Sequence, residues 1–227
     1  MIRRYLEDAR KRYKITREKP QLWTFREQGF SYIQIPKVAT RSIRAALVEM
    51  ENIRSADESF AAFEQRFSSH TAHKELRRRV DGLKVFAFVR DPLVRLYSAY
   101  VNKIVDAERI GGRNIFRCHG MGYGMSFEAF VQRVSELDDR HIDRHLRSQA
   151  WFLTDDQGLI PDIIGRIETF ADDWNRLREQ FPCLGPVGHR NKTAGQADFR
   201  RLYSDRTLEL VCQRYARDLQ LFGYPGN

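Results

Sequence analysis

The sequence predicts an α/β fold in which a mainly parallel sheet is flanked by helices. Three observations carry that prediction. Residues 31–35 and 85–89 are short apolar runs of the kind buried on both faces of a parallel sheet. Each passes at once into a segment whose apolar residues recur every three to four positions, as one buried helix face does. Further helical patterns follow, so the strands are separated by helices rather than joined by tight turns.

After the first strand the buried face is Ile43, Leu47 and Met50; after the second it is Leu93, Leu96, Tyr100 and Ile104. Asp91 suits an N-cap and Pro92 the first helical position. More helices are predicted over about 72–80, 127–137, 169–180 and 204–220, the last with Leu208, Val211, Cys212, Tyr215 and Leu219 on one side. Residues 107–126 hold five of the fourteen glycines and read as a mobile lid or an acceptor loop, being too long and glycine-rich for a simple connector. Residues 1–29 read as a basic arm or helix, and the 227 residues as one domain large enough to enclose a core.

Composition excludes several classes. Apolar residues make up 42% and charged residues 30%, the balance of a globular rather than disordered chain. No apolar run approaches the roughly 18 to 20 residues that span a bilayer. The N-terminus lacks the apolar stretch of a signal peptide. Three cysteines, Cys118, Cys183 and Cys212, have no metal-knuckle spacing and suit free thiols in a reducing compartment. A cytoplasmic location is therefore expected. The net charge is +9, and residues 1–20 supply eight Lys/Arg against three Asp/Glu. Such a segment suits an anionic partner (a glycan, a lipid head group or nucleic acid) or is a solvated terminus.

Two strand-to-helix turns carry the chemistry, because ligands of an open parallel sheet sit beyond the carboxyl ends of its strands. The first, "PKVATRS", places the amides of residues 38–42 at or before a helix start, where donors and the helix dipole make an anion cradle. Lys37 adds a point charge, Thr40 and Ser42 add hydroxyls, and small Ala39 lets an oxyanion approach the main chain. Solvent-facing Lys37 and Arg41 on an ordinary turn are the plain alternative. The nucleotide P-loop, G-x-x-x-x-G-K-[ST], does not fit this turn, which lacks glycine and has its lysine first. The second, "VFAFVRDPLVRLYSAY", ends a strand at Arg90 and puts Ser98 on a helix face with Arg95 and Asn102. A guanidinium fork with a hydroxyl suits a dianionic phosphate.

Together the two turns resemble the sulfotransferases, in the broad group that holds the carbohydrate sulfotransferases (the chondroitin and heparan sulfate 2-O types) and bacterial relatives. "IPKVATRSI" is similar to their 5′-phosphosulfate loop and "FAFVRDPLVRLYSAY" to their 3′-phosphate motif, with Arg90 and Ser98 at the matching spacing of eight residues. "DRHLRSQAWFL" (143–153), "DIIGRIETFADDW" (162–174), "HRNKT" (189–193) and "LFGY" follow in the family's order. Residues 1–29 match nothing in this pattern. Ala39 and Arg41 depart from it, standing where relatives often have glycine and a small hydroxyl residue.

The resemblance implies a P-loop-like three-layer sandwich and 3′-phosphoadenosine-5′-phosphosulfate (PAPS) as sulfuryl donor, with no metal required. It implies donor contacts from Lys37, Val38, Ala39, Thr40, Arg41, Ser42, Arg90 and Ser98, and from Arg190, Lys192 and Thr193 on a closing loop. The acceptor would be a hydroxyl of a saccharide or glycolipid, with residues 107–126 as acceptor or lid loop, no nucleic-acid partner, and a peripheral contact with an anionic surface through the basic N-terminus. Lys37 would stabilise the leaving phosphate. A histidine is the favoured base near neutral pH: His145 by its match to the family block, steered by Arg144 and Gln149, with His70 and His141 as alternatives. His141 and His145 are four apart, so a helix would present both to a metal, though no third ligand stands nearby. Rival readings are a nucleotide-dependent phosphotransferase of P-loop-like fold and a polyanion- or RNA-binding module.

Overall fold

The computed structural model describes residues 2–50, 53, 57–187 and 199–226. In chain order the elements are α1 (Ile2–Thr16), β1 (Gln21–Phe25), β2 (Phe30–Gln34), α2 (Thr40–Val48), α3 (Phe60–Phe67), β3 (Ser68–His70), α4 (His73–Arg79), β4 (Lys84–Val89), α5 (Pro92–Tyr100) and α6 (Asp106–Arg109). After these come α7 (Phe127–Ser135), α8 (Gln149–Leu153), β5 (Thr154–Asp155), β6 (Gly158–Leu159), β7 (Ile163–Arg166), α9 (Phe170–Gln180), α10 (Asp205–Arg214) and α11 (Ala216–Phe222). They form two compact units, one of residues 19–90 and 152–193, the other of residues 1–18, 91–151 and 194–227.

The first unit is built on a five-stranded sheet of order β3-β1-β2-β4-β7, flanked by helices. β2, β4 and β7 pair in parallel, while β1 is antiparallel to both β2 and β3. Four of the five strands therefore run one way, as a mainly parallel sheet requires. The departure is β1, which the sequence reading passed over. It returns as β2 through a four-residue hairpin loop closed by Gly29 N–H to the Arg26 carbonyl at 3.2 Å, with Gly29 at φ 77°. α3 and β3 also went unread, and β2 and β4 each begin one residue before the predicted runs.

Register explains the core. Trp23, Phe25, Phe30, Tyr32, Phe86 and Phe88 share one sheet face, since Phe25 opposes Phe30, Trp23 opposes Tyr32 and Tyr32 opposes Phe86. Phe63 and Phe67 of α3 lie against Phe25, and Phe170 and Trp174 of α9 lie against Phe88. Alternate residues Leu22, Ile33, Val85, Ala87 and Val89 are buried on the opposite face, so these strands read as continuous apolar runs. Gly165 of β7 leaves room for the Phe88 ring: a Cβ there would lie 2.3 Å from it.

The second unit is helical. Leu93, Leu96 and Ala99 of α5 join Phe130, Val131 and Val134 of α7 and Val211 of α10 in its core. Asp91 N-caps α5, accepting from Leu93 N–H at 2.8 Å and Val94 N–H at 3.4 Å, with Pro92 first in the helix, as predicted. Past Tyr100 the helix widens into a π-helical turn over Val101–Val105. The predicted 204–220 helix is two helices. Wholly buried Tyr215 breaks it, with φ −113° and its hydroxyl donating to the Leu146 carbonyl at 2.7 Å. The glycine-rich segment contributes to this core too, through Phe116 and Met121. Among the described residues no helix is long and apolar enough to cross a membrane.

Candidate active site

β2 and β4 are adjacent and parallel, so the bends that follow them leave the same end of the sheet side by side. Arg90, only 8% exposed, spans the two, its Nη1 lying 3.4 Å from the Lys37 carbonyl oxygen. Lys37 and Arg90, predicted to hold the two ends of one donor, thus lie close together within one unit.

The first bend is held in an unusual backbone. Lys37 has φ 71° and Ala39 φ 41°, both left-handed and both non-glycine, a conformation that side chains with a Cβ disfavour. Strain of this kind persists where the surroundings over-determine it, and it clusters at ligand clamps. Here wholly buried Val38 pins the loop from inside, and Thr40 Oγ1 donates to the Ile35 carbonyl at 2.9 Å. The Thr40 proton therefore closes the bend instead of pointing at a ligand. Ser42 is 8% exposed, and its amide and that of Ile43 turn back to the Ala39 carbonyl at 2.9 and 3.1 Å.

The amides of Thr40 and Arg41 open α2 and have no carbonyl within the helix to reach. Ser59, Asp91, Ser126 and Ser204 cap α3, α5, α7 and α10 through their side chains, whereas Ala39 offers α2 none. That helix start, with half-buried Lys37 beside it, fits an anion chemically. Arg41 is exposed and lines a cleft of about 340 Å³ with Arg44, Val48 and Phe60. Arg190, Lys192 and Thr193 lie outside the described residues.

In the helical unit Ser98 is half-buried on α5. Arg95 does not share an open face with it. It is 2% exposed and donates to the Arg147 carbonyl at 2.7 Å, so it serves the core. Arg147 in turn donates to the carbonyls of Ile142 at 3.1 Å and Ile15 at 2.5 Å, and its guanidinium lies 4.0 Å from the Trp151 ring centroid. Buried arginines thus satisfy main-chain carbonyls of the irregular segment 142–148, which has no ladder of its own. Asp218, wholly buried, accepts the Gln149 and Ala150 amides, each at 2.7 Å, and anchors the end of that segment. Gln149 is wholly buried as well.

His145 sits on this pinned segment. Its Nδ1 lies 2.7 Å from Asp143 Oδ1, which also accepts the His145 amide at 3.1 Å. Lys11 Nζ approaches the other Asp143 oxygen at 3.4 Å. Burial raises the Asp143 carboxyl, but the hydrogen bonds from His145 and the charge of Lys11 outweigh it and hold the group well below the usual carboxylate range. An ionised Asp143 makes His145 Nδ1 the donor and leaves Nε2 as the basic nitrogen. Burial lowers the His145 pKa, with Asp143 opposing, so the ring is neutral at pH 7. Asp143 escaped the sequence reading, although the Asp-x-His spacing carried a signal. An aspartate often accepts the amide two residues on.

The alternative bases stand elsewhere. His141 is exposed and pairs with Asp138 at 2.8 Å. It and His145 lie in turns, so no helix presents them four apart to a metal. Among the described residues no group of three His, Cys, Asp or Glu is placed to hold a metal ion. His70 ends edge strand β3 and lines a cleft of about 470 Å³ with Arg26, Arg78 and Arg79.

Comparison with known proteins shows the family. The family model described as "Sulfotransferase family" matches residues 20–225. The chain belongs to the sulfotransferase family. The match begins just before β1, so part of the 1–29 segment that matched no motif is family domain. Carbohydrate sulfotransferase 14 of Mus musculus is 26% identical over 219 residues, covering 86% of this chain and 58% of the relative. Carbohydrate sulfotransferase 10 of Danio rerio is 28% identical over 189 residues, covering 70% and 52%. This sulfotransferase-family chain thus spans little more than half the length of the curated relatives it matches. No solved structure matches it.

Proposed function

We propose that the chain transfers a sulfuryl group from PAPS to a hydroxyl of a saccharide or glycolipid acceptor. The observation that supports this reading best is the pairing of the two bends, an open helix start and Lys37 after β2 beside buried Arg90 after β4. A dianion at each end of one adenosine donor suits two such neighbouring grips. Lys37 and the main chain of 38–42 hold the 5′-phosphosulfate in this assignment, and Arg90 the 3′-phosphate. Ser98, Arg190, Lys192 and Thr193 take their donor roles from the motifs. Residues 107–126 are assigned to the acceptor. Cys118, Cys183 and Cys212 stand as thiols rather than disulfides, which suits the reducing compartment, the cytoplasm, that this reading assigns.

When bound, the donor supplies an activated sulfuryl group whose transfer needs acceptor oxygen, sulfur and leaving oxygen in line. Lys37 and the α2 amides stabilise the negative charge that grows on the leaving phosphate. His145 takes the acceptor proton at Nε2 while Asp143 keeps Nδ1–H in place. Protein cations carry the charge stabilisation, and no metal enters.

Calorimetry with adenosine 3′,5′-bisphosphate, magnesium ATP and a random RNA oligomer tests the assignment. The bisphosphate should bind best, and Lys37→Ala and Arg90→Ala should each weaken it at least about tenfold, the loss typical of a hydrogen bond to a charged group. Tighter magnesium-dependent ATP binding would make the chain a phosphotransferase. RNA binding that falls steeply with salt, with no preference for a 3′-phosphate, would make it a polyanion module.

A further inference from the structure

We propose that α1 is a peripheral membrane helix that lays an apolar stripe on an anionic lipid surface. Helix α1 is amphipathic in the reverse sense to an ordinary surface helix. Its inward side docks by polar groups. Asp8 meets Arg117 at 3.1 Å, Arg12 Nε donates to the Cys118 carbonyl at 2.8 Å, and Lys11 reaches both Asp143 and the Ile115 carbonyl. Ile15 is its one buried residue. Its outward side carries Ile2, Tyr5, Leu6 and Tyr13, exposed by 77%, 73%, 49% and 57%.

Helical geometry gathers these residues. At about 100° per residue, Ile2, Leu6, Ala9 and Tyr13 fall within a sector of roughly 60°, with Tyr5 beside it. Arg3, Arg10 and Lys14, all exposed, run along one flank of the stripe. Arg17 continues that flank, with its guanidinium 4.6 Å from the Tyr13 ring centroid. An apolar stripe with tyrosines and a basic border is the pattern of a helix lying in the plane of a bilayer interface.

Charge selects the occupant. Residues 2–19 hold eight Lys/Arg and three Asp/Glu. A second copy of the chain would bring two basic flanks together. The stripe also offers only four large side chains, against the roughly 20–30 residues a side of a stable protein interface. An anionic bilayer offers opposite charge and apolar depth at once. The inference goes beyond the sulfotransferase reading and stands or falls without it, since its test contains no donor.

The full chain is sedimented with vesicles of phosphatidylcholine alone and of phosphatidylcholine mixed equally with phosphatidylglycerol. It should bind the mixed vesicles, bind the neutral ones far less, and detach as salt is raised. Leu6→Glu/Tyr13→Glu and Arg10→Glu/Lys14→Glu, both checked for native circular dichroism, should each lower the partition coefficient at least about tenfold. Failure to sediment with the mixed vesicles, equal binding to neutral ones, or binding untouched by Leu6→Glu/Tyr13→Glu would overturn the proposal. So would a dimer in gel filtration that Leu6→Glu dissociates, which would make a second copy the occupant. Where a variant misfolds, the lipid and salt comparison on the unaltered chain still overturns the proposal if the mixed vesicles are not preferred.

Discussion

Ala39 takes the left-handed conformation, φ 41° and ψ 24°, that glycine adopts freely and alanine does not. Relief of that strain is partly offset by the greater freedom glycine gives the unfolded chain. Ala39→Gly should therefore raise stability by about 0.5–1 kcal/mol in a denaturant titration. A loss of stability would mean that the methyl group contributes packing that outweighs the strain. His145 gives a second expectation. Burial holds its pKa below the ordinary 6.5, so the proposed base should be protonated, and turnover should fall, only at pH below 6.5. Asp143→Asn removes the opposing carboxylate that favours the charged ring and orients Nδ1. It should move the acid limb of the pH–rate profile lower still and cut turnover on the order of 10²-fold, a typical contribution of a positioned base. Affinity for adenosine 3′,5′-bisphosphate should be unchanged. An unmoved acid limb would remove His145 from the role of base.

At the scale of elements, legibility followed the range of the interactions. The α5 start was readable because Asp91 and Pro92 act on their own helix, and the β2 and β4 runs because burial on both faces leaves no alternation to misread. β1 was not. "QLWTF" is only five residues long, and its strand character comes from pairing with β2 and β3, which local pattern does not encode. The break between α10 and α11 was hidden similarly, since Tyr215 keeps the apolar period while its hydroxyl is drawn to Leu146. Of the candidate site, Lys37 and Arg90 stand out as motif residues, but the left-handed backbone and the contact of Asp143 with His145 appear only in three dimensions. The same long-range logic gives a prediction for β7. Gly165→Ala would set a Cβ 2.3 Å from Phe88, a ring held by Phe170 and Trp174. Overpacking of this kind should cost about 1–3 kcal/mol in a denaturant titration. A neutral result would mean that the Phe88 ring turns aside freely.

For the molecule as a whole, stability should depend on pH through a histidine outside the proposed chemistry. His119 is 3% exposed, and its Nε2 accepts the Asp143 amide at 3.1 Å, which requires the neutral ring. Burial pushes its pKa down to about 4; Asp143 opposes that shift, while Lys11, Arg12 and Arg133 reinforce it. Between pH 6.5 and about 4 the unfolded chain therefore binds a proton that the folded chain refuses, so folding weakens as pH falls through that window. The slope is at most about 1.4 kcal/mol per pH unit, and the total reaches about 3 kcal/mol at the lower end. His145, also lowered, adds a slope of the same sign, whereas Asp218, raised by burial, acts oppositely at pH above 3.8. Comparison with a variant isolates the His119 share. His119→Gln keeps an acceptor for the Asp143 amide and cannot titrate. Unfolding free energies of the two proteins at pH 7.5 and pH 4.5 should differ in their pH dependence by about 2–3 kcal/mol, with the variant the less acid-sensitive. Equal acid sensitivity would mean that His119 gains its proton in the folded chain without breaking the Asp143 contact.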